Sequence, residues 1–391
     1  MNLTKLNSKK VVFELESVSS CPLCSSTYHS LYTNLQDYSY PEAEPIWNWS
    51  ACNNQLCQTH FLNPRPSKKT IYLAYDNYYT YTTNSSSAVT NVADSEVAPL
   101  LNIADNHSPL KAKHFQTTSV DKNIESKPQP HLKSSLLLKN LLNGFVKLSK
   151  EVLRFLFEGW VRWTSIPRLR NETNYLGLLN QPAGSVLEVG CGSGDRLALL
   201  QQKGWTVLGQ DIDPKAAQYA ASKHQLKIFS MPVDELPIEP KSMDAIVLSH
   251  VIEHVHEPQL MVQQILKYLK PNGVIVLITP NSNSFIRKLF GRFWIHTEHP
   301  RHLILFNPKN FLSIVPEALK NYTTVETTPG NAQFTALYSF EIWLRGYYNL
   351  QNKTYFISNI VAGFLQLLAL IVWWFDKSSG EELIMKVENK P

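Results

Sequence analysis

From about residue 171 the chain alternates short β-branched apolar runs with stretches of helical period. The runs are Ser185–Val189, Thr206–Gln210, Ala245–Leu248 and Gly273–Thr279. Between the first two, Asp195 to Lys203 places Leu197, Leu199 and Leu200 as a helix places them. Strands alternating with helices predict βαβ units and a parallel sheet with helices on both faces. Near the end, Glu382–Val387 reads as a last strand, and Phe356–Phe375 is a run of 20 residues without a charge.

Upstream the pattern breaks into three pieces. Residues 1–80 hold four of the five Cys and many aromatics. Residues 81–135 form an expected flexible linker: from 82 onward Phe115 is the one aromatic among Ser, Thr, Asn, Lys and Pro. Such a stretch buries too little apolar surface to offset its ordering entropy. Residues 136–170 read as a basic amphipathic helical segment, with seven Lys and Arg against Glu151 and Glu158, net +5. Residues 171–391 form the α/β domain, with an apolar helical insertion at about 332–376.

Composition sets limits on function. A chain of 391 residues with 43% hydrophobic and 18% charged residues can bury a sizeable core. A net charge of +5 is too small to argue for a nucleic-acid partner, and none is expected. Five Cys do not make a secreted disulfide scaffold. Met1 to Ser20 carry no apolar core before a cleavage site, so a cytoplasmic setting is expected.

The strongest chemical signal is Val186-Leu187-Glu188-Val189-Gly190-Cys191-Gly192-Ser193-Gly194, an apolar strand running into Gly-x-Gly-x-Gly. Glycine lets a ligand approach the backbone and permits positive φ. Asp211 closes the second strand and is placed to accept ribose hydroxyls of a nucleoside. The dinucleotide fingerprint needs its third Gly one residue later, and no phosphate-loop Lys is present.

Four blocks carry a resemblance to class I S-adenosylmethionine-dependent methyltransferases, of the broad group related to ubiquinone-pathway O-methyltransferases. They are Leu187–Gly194, Gly209–Pro214, Met243–Val255 and Leu269–Thr279, where Val274 stands in place of the family's second Gly. The resemblance implies a seven-stranded doubly wound Rossmann-like sheet and methyl transfer from S-adenosylmethionine. It implies cofactor contacts from Glu188, Gly190, Cys191, Gly192, Gly194, Asp211, Ile212, Met231, Pro232 and Ser249. Met231 stands where the family often has an acid that reads the adenine amine. On this reading the last strand inserts between earlier strands of the sheet, so Phe356–Phe375 cannot simply cross a membrane once.

His250 and His254, spaced i, i+4, follow the fourth-strand block and are candidate proton acceptors. His250, Glu253 and His254 form a possible divalent-ion set. The segment with Trp294, Arg301 and His302 resembles the family's acceptor side. There Arg301 has two uses open, binding an anionic acceptor or anchoring its loop to a carboxylate. Cys21-Pro22-Leu23-Cys24 with Cys52 and Cys57 offers four thiolates in two pairs, a ligand set for structural Zn2+. Phe61–Pro66 resembles the segment after zinc ribbons fused to such methyltransferases.

The expected acceptor is small, quinone-like or lipid-linked. The apolar run, flanked by Lys353 and Lys377, suits the inner face of a membrane. Two other classes compete. One is a non-catalytic protein that holds the nucleoside or a partner. The other is an RNA methyltransferase, which lacks support because no Asn/Asp-Pro-Pro-aromatic block follows the fourth strand.

Overall fold

The computed structural model describes residues 12–40, 46–75, 177–178, 181–350, 354 and 356–390. The linker expected at 81–135 and the basic segment at 136–170 lie outside the described residues.

The N-terminal residues make a small β structure. β1 (Leu15–Glu16) precedes β2 (Tyr28–Leu35), β3 (Trp47–Cys52), β4 (His60–Leu62) and β5 (Arg65–Pro66), and β1 pairs antiparallel with β5. Trp47, Trp49, Phe61 and Leu62 are fully buried. Large aromatic areas give this short segment most of its apolar stabilisation.

The α/β part follows. β6 (Ser185–Val189), α1 (Asp195–Gln202), β7 (Thr206–Gln210), α2 (Pro214–His224), β8 (Ile228–Phe229), β9 (Met243–Ser249), α3 (Pro258–Leu266) and β10 (Leu269–Pro280) alternate along the chain. Then come α4 (Phe285–Phe290), β11 (Ile304–Leu305), β12 (Thr323–Thr328), α5 (Ala332–Arg345), α6 (Phe356–Phe375) and β13 (Glu382–Glu388). The seven-stranded sheet has the order β12-β13-β10-β9-β6-β7-β8. β6 to β10 run parallel, and β13 lies antiparallel between β10 and β12. The expected insertion of the last strand is therefore present.

Apolar runs explain the sheet. Ala245 to Leu248 and Ile275 to Leu277 are completely buried, because a central parallel strand is covered on both faces. α1 covers one face with Leu197 and Leu200, each contributing about 2 kcal/mol by burial. α2 starts where Asp213 accepts the Lys215 N–H and Pro214 supplies a preset φ. The chain runs outward through β6, β7 and β8, then returns to β9 on the other side of β6. That reversal opens a crevice at the carboxyl ends of β6 and β9, where open α/β sheets bind ligands.

β11 leaves the α/β part and pairs antiparallel with β4, giving a second sheet of order β11-β4-β3-β2. The cysteine-bearing residues are thus built into the same body as the large sheet. α5 ends at Gly346, whose φ of 80° breaks the helix. It packs against α6.

Candidate active site

Loop geometry at the end of β6 follows from its glycines. Gly190, Gly192 and Gly194 have φ of 67°, 52° and 74°. A Cβ on Gly192 would meet nothing within 4 Å, so this backbone faces open space. The Gly192 N–H donates to Asp211 Oδ2 at 2.9 Å, and the Asp213 N–H donates to Oδ1 at 3.0 Å. These bonds fix the carboxylate over the glycine loop. Burial nevertheless pushes Asp211 above the ordinary aspartate value.

Glu188 is buried and ion-paired with Arg196, which also donates to Ser249 Oγ at 3.2 Å. Burial pushes Glu188 up, against the pull of Arg196. Among the described residues its Oε2 has no hydrogen-bond partner, although it is buried. An unmatched buried carboxylate oxygen beside a glycine cradle fits a cationic nucleoside ligand.

A cavity of about 450 Å³ opens at this crevice. Gly190, Asp211, Ile212, Pro232 and His254 line it, as the sequence suggests. Glu188, Cys191, Gly192, Gly194 and Ser249 are not among its lining residues. Cys191 packs with Leu197 and Val207, and burial pushes its thiol far up, so it serves as a small apolar residue. Met231 is not part of the wall either: its carbonyl accepts a bond from Gln210 Nε2 at 2.8 Å. Three residues later Asp234, an acid, does line the cavity.

The opposite wall was not foreseen. Lys68, Ile71 and Tyr75 reach the cavity from the N-terminal part. Tyr75 Oη lies 3.0 Å from His254 Nδ1 across 179 residues of sequence, and burial pushes its phenol up. The aromatic run around Tyr75 was visible, but no local period tells which distant surface it covers.

The histidines also differ from expectation. His250 and His254 do not share a helical face. β9 ends at Ser249, His250 takes φ 55°, and Ile252–His254 is a single 3-10 turn. His250 sits between Glu253 Oε1 at 3.4 Å and Glu382 Oε1 at 3.1 Å. Burial opposes its charge, but the two carboxylates outweigh it and push the imidazole up to about 10. Burial would raise Glu253, but His250 and His254 hold it down at about 2. His254 Nδ1 also lies 3.0 Å from the Arg301 carbonyl. Glu253, His254 and His302 bring one ligand atom each within 4.8 Å of one another, so His302 replaces His250 in the expected ion set.

Trp294, Arg301 and His302 do not line the cavity; each is no more than 2% exposed. Arg301 forks onto Asp37 with two bonds of 2.9 Å and reaches Ser39 Oγ at 3.1 Å. Of its two open uses, the structure selects the anchor: it ties the loop after α4 to the N-terminal part. The His302 Nδ1–H donates to the His296 carbonyl at 2.7 Å, and burial, helped by His254, holds the imidazole down at about 3.

The four cysteines converge. Cys21, Cys24, Cys52 and Cys57 place their sulfurs within 4.8 Å of one another, with Cys21–Cys57 at 3.8 Å and Cys24–Cys52 at 3.5 Å. Tetrahedral zinc with bonds of about 2.3 Å sets sulfurs roughly 3.8 Å apart, so the set fits. Asn307 Nδ2 donates to the Cys57 carbonyl at 2.9 Å, and Asn310 Nδ2 to Thr59 Oγ1 at 2.9 Å. Thr59 Oγ1 in turn lies 2.9 Å from Cys57 Sγ, so the cysteine knuckle is wired to the α/β part.

Strand order, glycine cradle, the Asp211 carboxylate above it and the cavity are joined by the sequence comparison, in which residues 161–318 match the methyltransferase domain family. This part of the chain is similar to a methyltransferase domain. It is 32% identical over 118 residues to a Mycolicibacterium smegmatis protein named "Probable S-adenosylmethionine-dependent methyltransferase", covering 30% of this chain and 46% of that protein. It is 30% identical over 134 residues to a ubiquinone biosynthesis O-methyltransferase of Paracidovorax citrulli, covering 32% of this chain and 56% of the relative. The chain thus spans about half the length of these curated relatives. A SAM-dependent methyltransferase structure from Archaeoglobus fulgidus superposes with TM-score 0.39 at 17% identity, over 60% of this chain and 99% of that one.

Proposed function

We propose that the protein transfers a methyl group from S-adenosylmethionine to an oxygen of a small, quinone-like or lipid-linked acceptor, at the cytoplasmic face of a membrane. The observation that carries this reading is the glycine cradle with Asp211 opening into the cavity that His254 lines. Asp211 would hold the ribose hydroxyls, the Gly190–Gly194 backbone and Glu188 the amino-acid end, and Asp234 and Pro232 the base. The bound cofactor supplies a methyl on a good sulfonium leaving group. The chain's own work is then alignment, exclusion of water and removal of one proton.

The proton goes to His254. Its Nδ1 faces a carbonyl, which only accepts, so Nδ1 carries the hydrogen and Nε2 the lone pair. Glu253, held anionic nearby, stabilises the imidazolium that forms. His250 is already protonated at neutral pH between its two carboxylates and has no lone pair to offer. Tyr75 positions the His254 ring from the N-terminal wall.

The test is calorimetric titration with S-adenosylhomocysteine, beside Asp211→Ala. Loss of two charged hydrogen bonds is expected to weaken binding by about 2–4 kcal/mol, roughly 30- to 1,000-fold. A variant that binds as well as the parent would discard the ribose assignment. Binding without transfer to any hydroxyl acceptor would favour a non-catalytic role.

The cysteine knuckle is proposed to hold structural Zn2+, which gives the small N-terminal part folding energy its core lacks. Metal analysis should find about one equivalent, as the ligand set provides for a single tetrahedral ion. Chelation should also weaken cofactor-dependent turnover, because the wall with Tyr75 follows the knuckle. A metal-free protein with an unchanged melting temperature would overturn the zinc assignment.

A further inference from the structure

α6 leaves one face uncovered. Ile357, Ile360, Phe364, Ile371, Trp374 and Phe375 are exposed, with Trp374 at 74% and Phe375 at 84%. Their spacing puts them along one side of the helix. The other side, with Ala362, Leu365 and Ala369, is buried toward the protein body. Of the most apolar stretch only 33% is buried inside the protein. A stripe of this length, about 30 Å in 20 residues, is more than a soluble monomer leaves to water.

Topology excludes a single crossing. β13 starts at Glu382, soon after Phe375, and lies inside the sheet between β10 and β12. α5 precedes the helix and packs on it. Both ends of α6 are therefore tied to the same body. The chemistry of the C-terminal end is that of an interface. Lys377 Nζ lies 3.4 Å from the Trp373 ring centroid and 5.4 Å from that of Trp374. Trp beside Lys is the pairing that sits at headgroup level, with rings in the acyl boundary and the ammonium at phosphate. Lys288 is exposed near Asp376, at the same end of α6, beside exposed Leu289.

We propose that α6 lies flat on an anionic lipid bilayer, with this stripe sunk into the headgroup boundary and Lys377 and Lys288 meeting lipid phosphates. This deepens the membrane-face part of the reading above and is separable from cofactor binding. A second copy of the chain is the rival occupant. It is disfavoured because the stripe carries no exposed polar side chain along its length, whereas a protein interface has a polar rim.

The experiment uses full-length protein, metal loaded, with phosphatidylcholine vesicles with and without phosphatidylglycerol. Flotation and tryptophan emission report binding, and light scattering reports the oligomeric state. The parent should bind, more tightly with phosphatidylglycerol, and shift its emission to the blue. Phe364→Glu with Ile371→Glu should weaken partitioning at least about 10-fold, since two charges enter the acyl boundary. S-Adenosylhomocysteine binding should be unchanged, which separates this test from that of the active site. The proposal is overturned by a parent that ignores both vesicles, by a variant that binds like the parent, or by a dimer that the variant dissolves.

Discussion

Arg301→Ala is expected to lower stability by about 3–5 kcal/mol, the range for breaking a buried ion pair from one side. Arg301 is 1% exposed, and Asp37 and Glu298 beside it are 4% and 8% exposed. Removal of the guanidinium leaves two buried carboxylates with their main cation gone. Arg301→Lys should recover only part of the loss, because an ammonium cannot reproduce the two-pronged fit to Asp37. Asp37 belongs to the N-terminal part and Arg301 to the α/β part. The variant should therefore loosen the wall that carries Tyr75, and proteolysis should cut the N-terminal part first. Denaturant midpoints check the magnitude. An unchanged midpoint with lost affinity for an anionic acceptor would return Arg301 to the acceptor side.

Acidification from pH 7 to pH 5 is expected to lower the melting temperature steeply. Burial is the main cause that holds four imidazoles far below their ordinary 6.5: His60, His296 and His302 at about 3 and His299 at about 4. The unfolded chain takes up protons that the fold refuses. Stability from these groups is therefore present above about 6.5 and is lost as pH falls toward 3 or 4. At pH 5 each group costs about 2 kcal/mol, with some overlap between the facing rings of His296 and His302.

Two groups bear on the balance. Burial pushes Glu381 up to about 8, so its penalty eases over the same window, by about 2–3 kcal/mol. His250, raised to about 10, contributes fully below 6.5 and changes only on the alkaline side. The net loss is on the order of 5 kcal/mol, a fall of roughly 6–9 °C for a chain of this size. Scanning calorimetry at the two pH values checks it, and His299→Gln should flatten the slope. A melting temperature that stays level from pH 7 to pH 5 would mean that these rings are protonated in the fold.

Local chemistry made much of this protein legible. The continuous apolar run Val186–Val189 needs cover on both faces, so it reads as a central parallel strand. The Gly-x-Gly-x-Gly turn and Asp211 are set by backbone freedom and by strand period, both short-range properties. The C-x2-C knuckle announces its ligand chemistry, and the sulfurs of Cys52 and Cys57 join those of Cys21 and Cys24. Even the objection to a crossing helix followed from the expected place of Glu382–Val387 in the sheet.

What only the tertiary structure decided involves partners far apart in sequence. A histidine pair at i, i+4 looks helical, yet His250 sits at φ 55° because the strand must turn sharply into the crevice. Glu382, more than a hundred residues away, joins Glu253 in pushing the His250 imidazole up. Arg301 could have faced a ligand or a carboxylate, and Asp37 settles it. The cavity wall from Lys68 to Tyr75 depends on β4 pairing with β11, a register that no local pattern encodes. Residue type sets what a side chain can do. Which of its uses is realised depends on the charge and the dielectric that the fold brings to it.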